Sequence, residues 1–205
     1  MTAEHVEILV EEPSMAEALQ LLLPSILATT TFAVYRHRCK DELLSNLLGR
    51  LRGYASWLPK NWRILVIVDR DDDDCKKLKK QLESIAEAAG LETRTRRVGA
   101  PYAVINRLAI EELEAWYFGD WEAVRAEYPR VSATVPARAA YRDPDAIKGG
   151  TWEAFEREMN RAGYFRGGLR KIEAARSIAP HMEAARNTSR SFQVLREALL
   201  EVAAP

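Results

Sequence analysis

Five consecutive apolar residues, Ile64-Leu-Val-Ile-Val68, run straight into Asp69 and then into Arg70-Asp-Asp-Asp-Asp74. A strand with one wet face alternates apolar and polar residues. An unalternated run of this length is covered on both faces, which is the mark of a parallel sheet wrapped by helices. A second run, Val6–Val10, ends in Glu11-Glu12. In open parallel sheets, function gathers at the carboxyl ends of the strands. Carboxylates crowded there repel one another unless a cation neutralises them. The pattern therefore points to a divalent-metal site for phosphate chemistry.

The rest of the N-terminal half supports this class. His5–Val10 reads as a strand, and Ser14-x-x-Glu17 reads as a capping box opening a helix to about Leu27. Thr29–Tyr35 is a β-branched and aromatic strand. Asp41–Trp57 carries a helical leucine stripe that Pro59 ends. A helix through Leu78, Leu82, Ile85 and Ala89 follows, with Gly90 as its C-terminal cap, and Leu91–Val98 reads as a fourth strand. The β-α-β-α-β-α-β order predicts an α/β fold, a Rossmann-like parallel sheet flanked by helices. Beyond Gly99 the chain reads as mostly helical: Val104–Phe118, Trp121–Glu127 capped by Asp120, Thr151–Ala162, Leu169–Ala179 and Ser189–Val202. Residues 1–100 are thus expected to form the α/β core. Residues 101–205 are expected to form a helical extension packed on it as one compact unit.

Net charge is zero, so bulk charge suggests no partner, but its distribution is uneven. Residues 1–24 hold five Glu and no Lys or Arg, while residues 157–196 hold nine Lys/Arg against three Glu. A basic C-terminal third is suited to a polyanion such as nucleic acid, although solvated helix faces explain it equally well. Cys39 and Cys75 form no CxxC pair, and residues 1–24 lack a basic leader. No apolar run approaches a membrane span. A soluble cytoplasmic protein with no membrane partner is expected.

Glu11 or Glu12, together with Asp69 and Asp71, form the candidate metal ligands. Their hard oxygens suit Mg²⁺ or Mn²⁺. Asp72, Asp73 and Asp74 fit better as charges opening the next helix, where the dipole favours them, with Asp73 a candidate outer ligand. An EF-hand loop starting at Asp69 is excluded, because Asp74 and Lys80 stand where Gly and Glu are required. A haloacid-dehalogenase motif is disfavoured by Asp73 at its last position. A sugar-nucleotide transferase with Asp-x-Asp stays open but leaves Glu11 unexplained.

Ile8-Leu-Val-Glu11-Glu12-Pro-Ser resembles the opening strand and turn of the Toprim family, and Val66-Ile-Val-Asp69-Arg-Asp71 resembles its Asp-x-Asp strand. The two motifs stand 58 residues apart, and the resemblance covers about the first 100 residues. Glu12 departs from the family's usual Gly, which leaves Glu11 and Glu12 as alternative ligands. Residues Arg107–Asp120, Tyr141–Lys148 and Arg190-Ser-Phe192 further resemble a bacterial family of Toprim-like proteins, a domain of unknown function. Toprim-like nucleases of the overcoming-lysogenization-defect type use further acids for a second metal. In this chain the resemblance places that role on Glu111 and Glu114, three apart and sharing a helical face. Glu114, wedged between Leu113 and Trp116, is the stronger of the two.

Lys148, Arg107, Arg142 and Arg190 are candidates for holding phosphate charge. His5, His37 and His181 are scattered and supply no hydrolase triad. No GxxxxGK[ST] or GxGxxG motif occurs, so the chain is not itself an ATPase or a Rossmann dehydrogenase. The expected function is a divalent-metal-dependent phosphodiesterase, in particular a nuclease, with Glu11, Asp69, Asp71, Glu114 and Lys148 catalytic. The alternative is a Toprim-like binding subunit that works with a partner ATPase in a bacterial defence system. A homodimer is open in either case.

Overall fold

The computed structural model describes residues 3–70, 73–97, 99–110 and 112–204. Four strands form one parallel sheet in the order β2-β1-β3-β4: β1 (His5–Val10), β2 (Thr31–Arg36), β3 (Trp62–Asp69) and β4 (Val104–Ala109). β1 pairs on one side with β2 and on the other with β3, and β3 pairs with β4. The central position of β3 explains its composition. Ile64, Val66 and Val68 face one layer, while Leu65 and Ile67 face the other, so every side chain meets a dry surface.

The helices divide between those layers. The leucine stripe of α2 (Lys40–Ala55) and the apolar face of α3 (Cys75–Ala88) cover one side of the sheet. The other side is covered by α1 (Pro13–Leu27) together with α4 (Leu113–Gly119), α5 (Trp121–Glu127), α6 (Thr151–Arg161), α7 (Lys171–Ile178) and α8 (Arg190–Ala203). Trp116, Phe118, Phe155 and Phe192 are almost fully enclosed in this second layer. Each such ring contributes roughly 1.5–3 kcal/mol by leaving water. Among the described residues, no helix is long and apolar enough to cross a membrane.

Two expected elements differ. Leu91–Val98 contains no strand among its described residues; a single bridge joins Thr93 to Val104, and the chain then turns, with the Arg96 and Arg97 N–H groups donating to the Thr93 carbonyl. Glu92-Thr-Arg-Thr-Arg-Arg97 is too polar for a layer closed on both faces. The fourth strand is instead Val104–Ala109, which the sequence presents as the start of a helix. β-branched Val104 and Ile105 and the free edge of β3 override the helical periodicity there, and the helix begins only at Leu113. The fourth strand thus lies beyond residue 100.

The capping box at Ser14 is also replaced. Glu12 is the N-cap of α1 with no side-chain cap, Pro13 fills the first turn, and the Ser14 hydroxyl donates to the Glu12 carboxylate. Asp74 does act as a helix cap: its carboxylate accepts from the N–H groups of Lys76 and Lys77 at 2.9 and 3.0 Å. Asp120 caps α5 as expected, and its carboxylate also accepts from Arg186 and the Glu183 N–H. Ser189 caps α8 by accepting from the Phe192 N–H.

Candidate functional site

Because all four strands run the same way, their carboxyl ends open onto one edge of the sheet. Glu11 follows β1 there, and Asp69 ends β3 on the neighbouring strand. The two are in direct contact: the Asp69 N–H donates to Glu11 Oε2 at 3.0 Å. Asp69 is buried. Asp71 and Glu111 lie outside the described residues.

The connection from β4 to α4 brings two more carboxylates to the same end. Glu112 precedes α4 and reaches across to the start of α6, where it accepts from Thr151 Oγ1 at 3.2 Å and the Trp152 N–H at 3.1 Å. A negative charge is favoured at that helix N-terminus. Glu114, in the first turn of α4, is fully buried. Apart from its own backbone N–H, neither of its oxygens has a hydrogen-bond partner. Burial raises its carboxyl to about 8; Lys171 opposes that rise, while Glu12 and Glu112 add to it. The hydroxyl of Tyr117, one turn along α4, is likewise buried without a partner.

Lys171, the first residue of α7, sits among these acids. Its Nζ lies 3.4 Å from Glu112 Oε1 and 3.8 Å from Glu12 Oε2. Burial lowers its pKa, but Glu114, Glu12, Glu112 and Asp69 outweigh burial and hold it above its usual value. The site is therefore an acid cluster with its own ammonium. Among the described residues, no three of His, Cys, Asp or Glu stand close enough to hold a metal ion together.

The other expected residues spread around this centre. Asp73 is exposed and paired with Lys40 Nζ at 2.9 Å. Exposed Lys148 borders a cleft of about 620 Å³ together with Arg70, the residue after Asp69. Arg107 and Arg190 line a separate groove of about 350 Å³ on the open side of β4. Arg142 is exposed and borders neither cleft.

Sequence reasoning did not single out Lys171 or Glu112. Lys171 comes from a helix 59 residues after Glu112 and carries no spacing signal towards it. The one hint was the basic run of residues 157–196, which marked a region and not a residue.

The chain is similar to one solved structure, the C-terminal region of the OLD protein of Xanthomonas campestris pv. campestris. The two are 16% identical with a TM-score of 0.46, over 98% of this chain and 94% of that one. No curated protein matches the sequence. Residues 10–200, nearly the whole chain, match the model described as a domain of unknown function, DUF4276, and the protein belongs to that family.

Proposed function

We propose that this protein is a divalent-metal-dependent phosphodiesterase of the nuclease class, working at the strand-end acid cluster. The observation that carries this reading is Glu114, an entirely buried carboxyl whose two oxygens have no side-chain partner, next to Glu12 and Glu112. A carboxyl in such a place costs stability unless it keeps its proton or meets a cation. The donors are all hard oxygens, which fit Mg²⁺ or Mn²⁺ and do not fit a softer ion.

No three of the described acids stand close enough to share an ion, so Glu11 and Asp69 would hold it together with Asp71, which lies outside the described residues; Glu12, Glu111 and Glu114 are candidates for a second ion. A bound divalent ion supplies Lewis-acid polarisation of a phosphoryl oxygen and activation of water. The chain's own part is positioning. The Asp69 N–H fixes Glu11, and Glu112 pins the start of α6 against α4. Lys171 presents a charged ammonium to the centre of the cluster, where negative charge grows as a phosphodiester is attacked. Lys148 and Arg70 line the adjoining cleft and supply positive charge to the substrate backbone.

The test is Mn²⁺-dependent cleavage of single- and double-stranded DNA and RNA by wild type and by Asp69→Asn and Glu114→Gln. The expected result is cleavage by wild type that both substitutions abolish. Equal cleavage by all three proteins, or none by wild type alongside no Mn²⁺ binding in calorimetry, overturns the reading.

A second reading is a Toprim-like subunit that binds without cutting and acts with a partner ATPase. Lys171 favours it, since a resident ammonium already balances part of the acid charge. Co-purification of an ATPase from the native host, with no Mn²⁺ binding by the purified chain, is its expected signature.

A further inference from the structure

On the open side of β4, between α3 and α8, the Asn106 carbonyl receives two cations. Lys79 Nζ donates to it at 2.6 Å and Arg107 Nη1 at 3.0 Å. Two positive groups on one neutral oxygen repel each other. Lys79 is balanced by Glu83 at 2.8 Å. Arg107 has no carboxylate partner among the described residues, and its buried Nε–H is unbonded. Arg107 is partly buried, and Glu201 and Glu83 act on it only through space, so its guanidinium is left able to take an anion.

The groove that Arg107 lines is about 350 Å³, with Lys79 on one wall and Arg190 on the other. Arg190 is mostly exposed, and its pair with Glu197 at 3.2 Å is a weak surface contact that an incoming anion can replace. The carboxylate that borders the groove, Asp145, is already occupied by the Ser189 and Ser191 hydroxyls and the Ser191 N–H. The groove is thus a cationic cleft with one unsatisfied donor.

Its position relative to the acid cluster is set by the sheet. Ala109 pairs with Asp69, and Arg107 pairs with Ile67, two residues earlier. Two residues along a strand and one strand across place the Arg107 backbone roughly 8 Å from that of Asp69. In a nucleic-acid strand the charges follow one another at roughly 3.4 Å of axial rise, so a phosphate near the reacting one falls within this reach.

We propose that Arg107, with Lys79 and Arg190, holds a phosphate of the substrate strand that flanks the reacting one, so that the substrate is a polynucleotide and not a mononucleotide or a small diester. This rests on the phosphodiesterase reading. Arg107 is then a positioning residue for the strand, outside the reacting centre.

The test separates binding from cutting. Anisotropy of a labelled single-stranded oligonucleotide, as DNA and as RNA, is measured in EDTA across a salt series. Wild type, Arg107→Gln and Arg190→Gln are compared, with thermal unfolding as the check on folding. Each substitution is expected to weaken binding several-fold and to flatten the dependence of log affinity on log salt by about 0.7. Arg190 is exposed, so its variant keeps the test valid if Arg107→Gln unfolds. Wild-type affinity and slope in folded variants, or no oligonucleotide binding by wild type, overturns the subsite. Altered binding with no cleavage under Mn²⁺ supports the subsite and counts against the nuclease. Cleavage with unaltered binding by the variants does the reverse.

Discussion

The backbone N–H of Asp69 donates to the carboxylate of Glu11 at 3.0 Å, across 58 residues of chain. The contact exists because β1 and β3 are parallel neighbours, with Val10 beside Ile67. It turns two separate acidic strand ends into one site. It also orients Glu11.

Glu11→Gln keeps the shape of this contact and removes its charge. Loss of a charged acceptor for one hydrogen bond should cost about 1 kcal/mol of stability, read from the urea midpoint. Mn²⁺-dependent cleavage should fall by more than about 100-fold, since even outer-shell groups cost 10–100-fold. Retention of wild-type cleavage would remove Glu11 from the site.

Glu114 predicts a pH dependence of a definite sign. Its carboxyl is raised from 4.5 to about 8 in the folded protein. Between those values the unfolded chain is ionised while the folded chain holds the proton, so stability falls as pH rises from 4.5 towards 8 and the loss is complete above 8. The upper limit of the loss is on the order of 5 kcal/mol. In metal-free protein, Glu114→Gln should flatten the pH profile and match or exceed wild type above pH 8. Urea unfolding at pH 5, 7 and 9 decides it; parallel profiles for the two proteins would refute the assignment.

Lys171→Met removes the ammonium that Glu12, Glu112 and Glu114 share. The folded pKa of Lys171 is raised, so its contribution is fully present below its ordinary 10.5 and is lost only as pH climbs through the folded value. The substitution should cost about 1–2 kcal/mol at pH 7, discounted because the side chain is 29% exposed. Above pH 8, where Glu114 is ionised, the cost should be larger and should shrink when Glu114→Gln is also present, because the two charges then interact. A double-mutant cycle in urea measures that coupling, and strict additivity would argue against it.

Gly119, the last residue of α4 before the Asp120 cap, has no room for a methyl group. A Cβ there would stand 2.2 Å from Asn187 Oδ1 and 2.8 Å from the Ser189 backbone nitrogen. Asn187 holds the Trp116 carbonyl, and Ser189 caps α8, so neither moves freely. Gly119→Ala should destabilise the protein by roughly 1–3 kcal/mol, seen as a lowered Tm. An unchanged Tm would mean that this junction yields more easily than its packing implies.

Much of the sheet could be read directly from the sequence. Ile64–Val68 is apolar without alternation because β3 is covered on both faces, and that pattern survives in any context. Asp69 and Glu11 were visible as strand-end acids for the same reason. Glu114 stood out as an acid between core residues, and it is buried. Val104–Ala109 was misread, because a short segment holding Asn106 and Arg107 has no decisive period of its own; the unpaired edge of β3 made it a strand.

Tertiary structure alone decided which acids meet and what balances them. Lys171 reaches Glu112 from 59 residues away, and Arg107 and Lys79 meet at a carbonyl through the packing of α3 against β4. Sequence alone determined the apolar strands and the charges at their ends, since burial demands a composition and leaves it written along the chain. The partners of those charges depend on distances between elements, and distance in space leaves no periodic mark in a sequence.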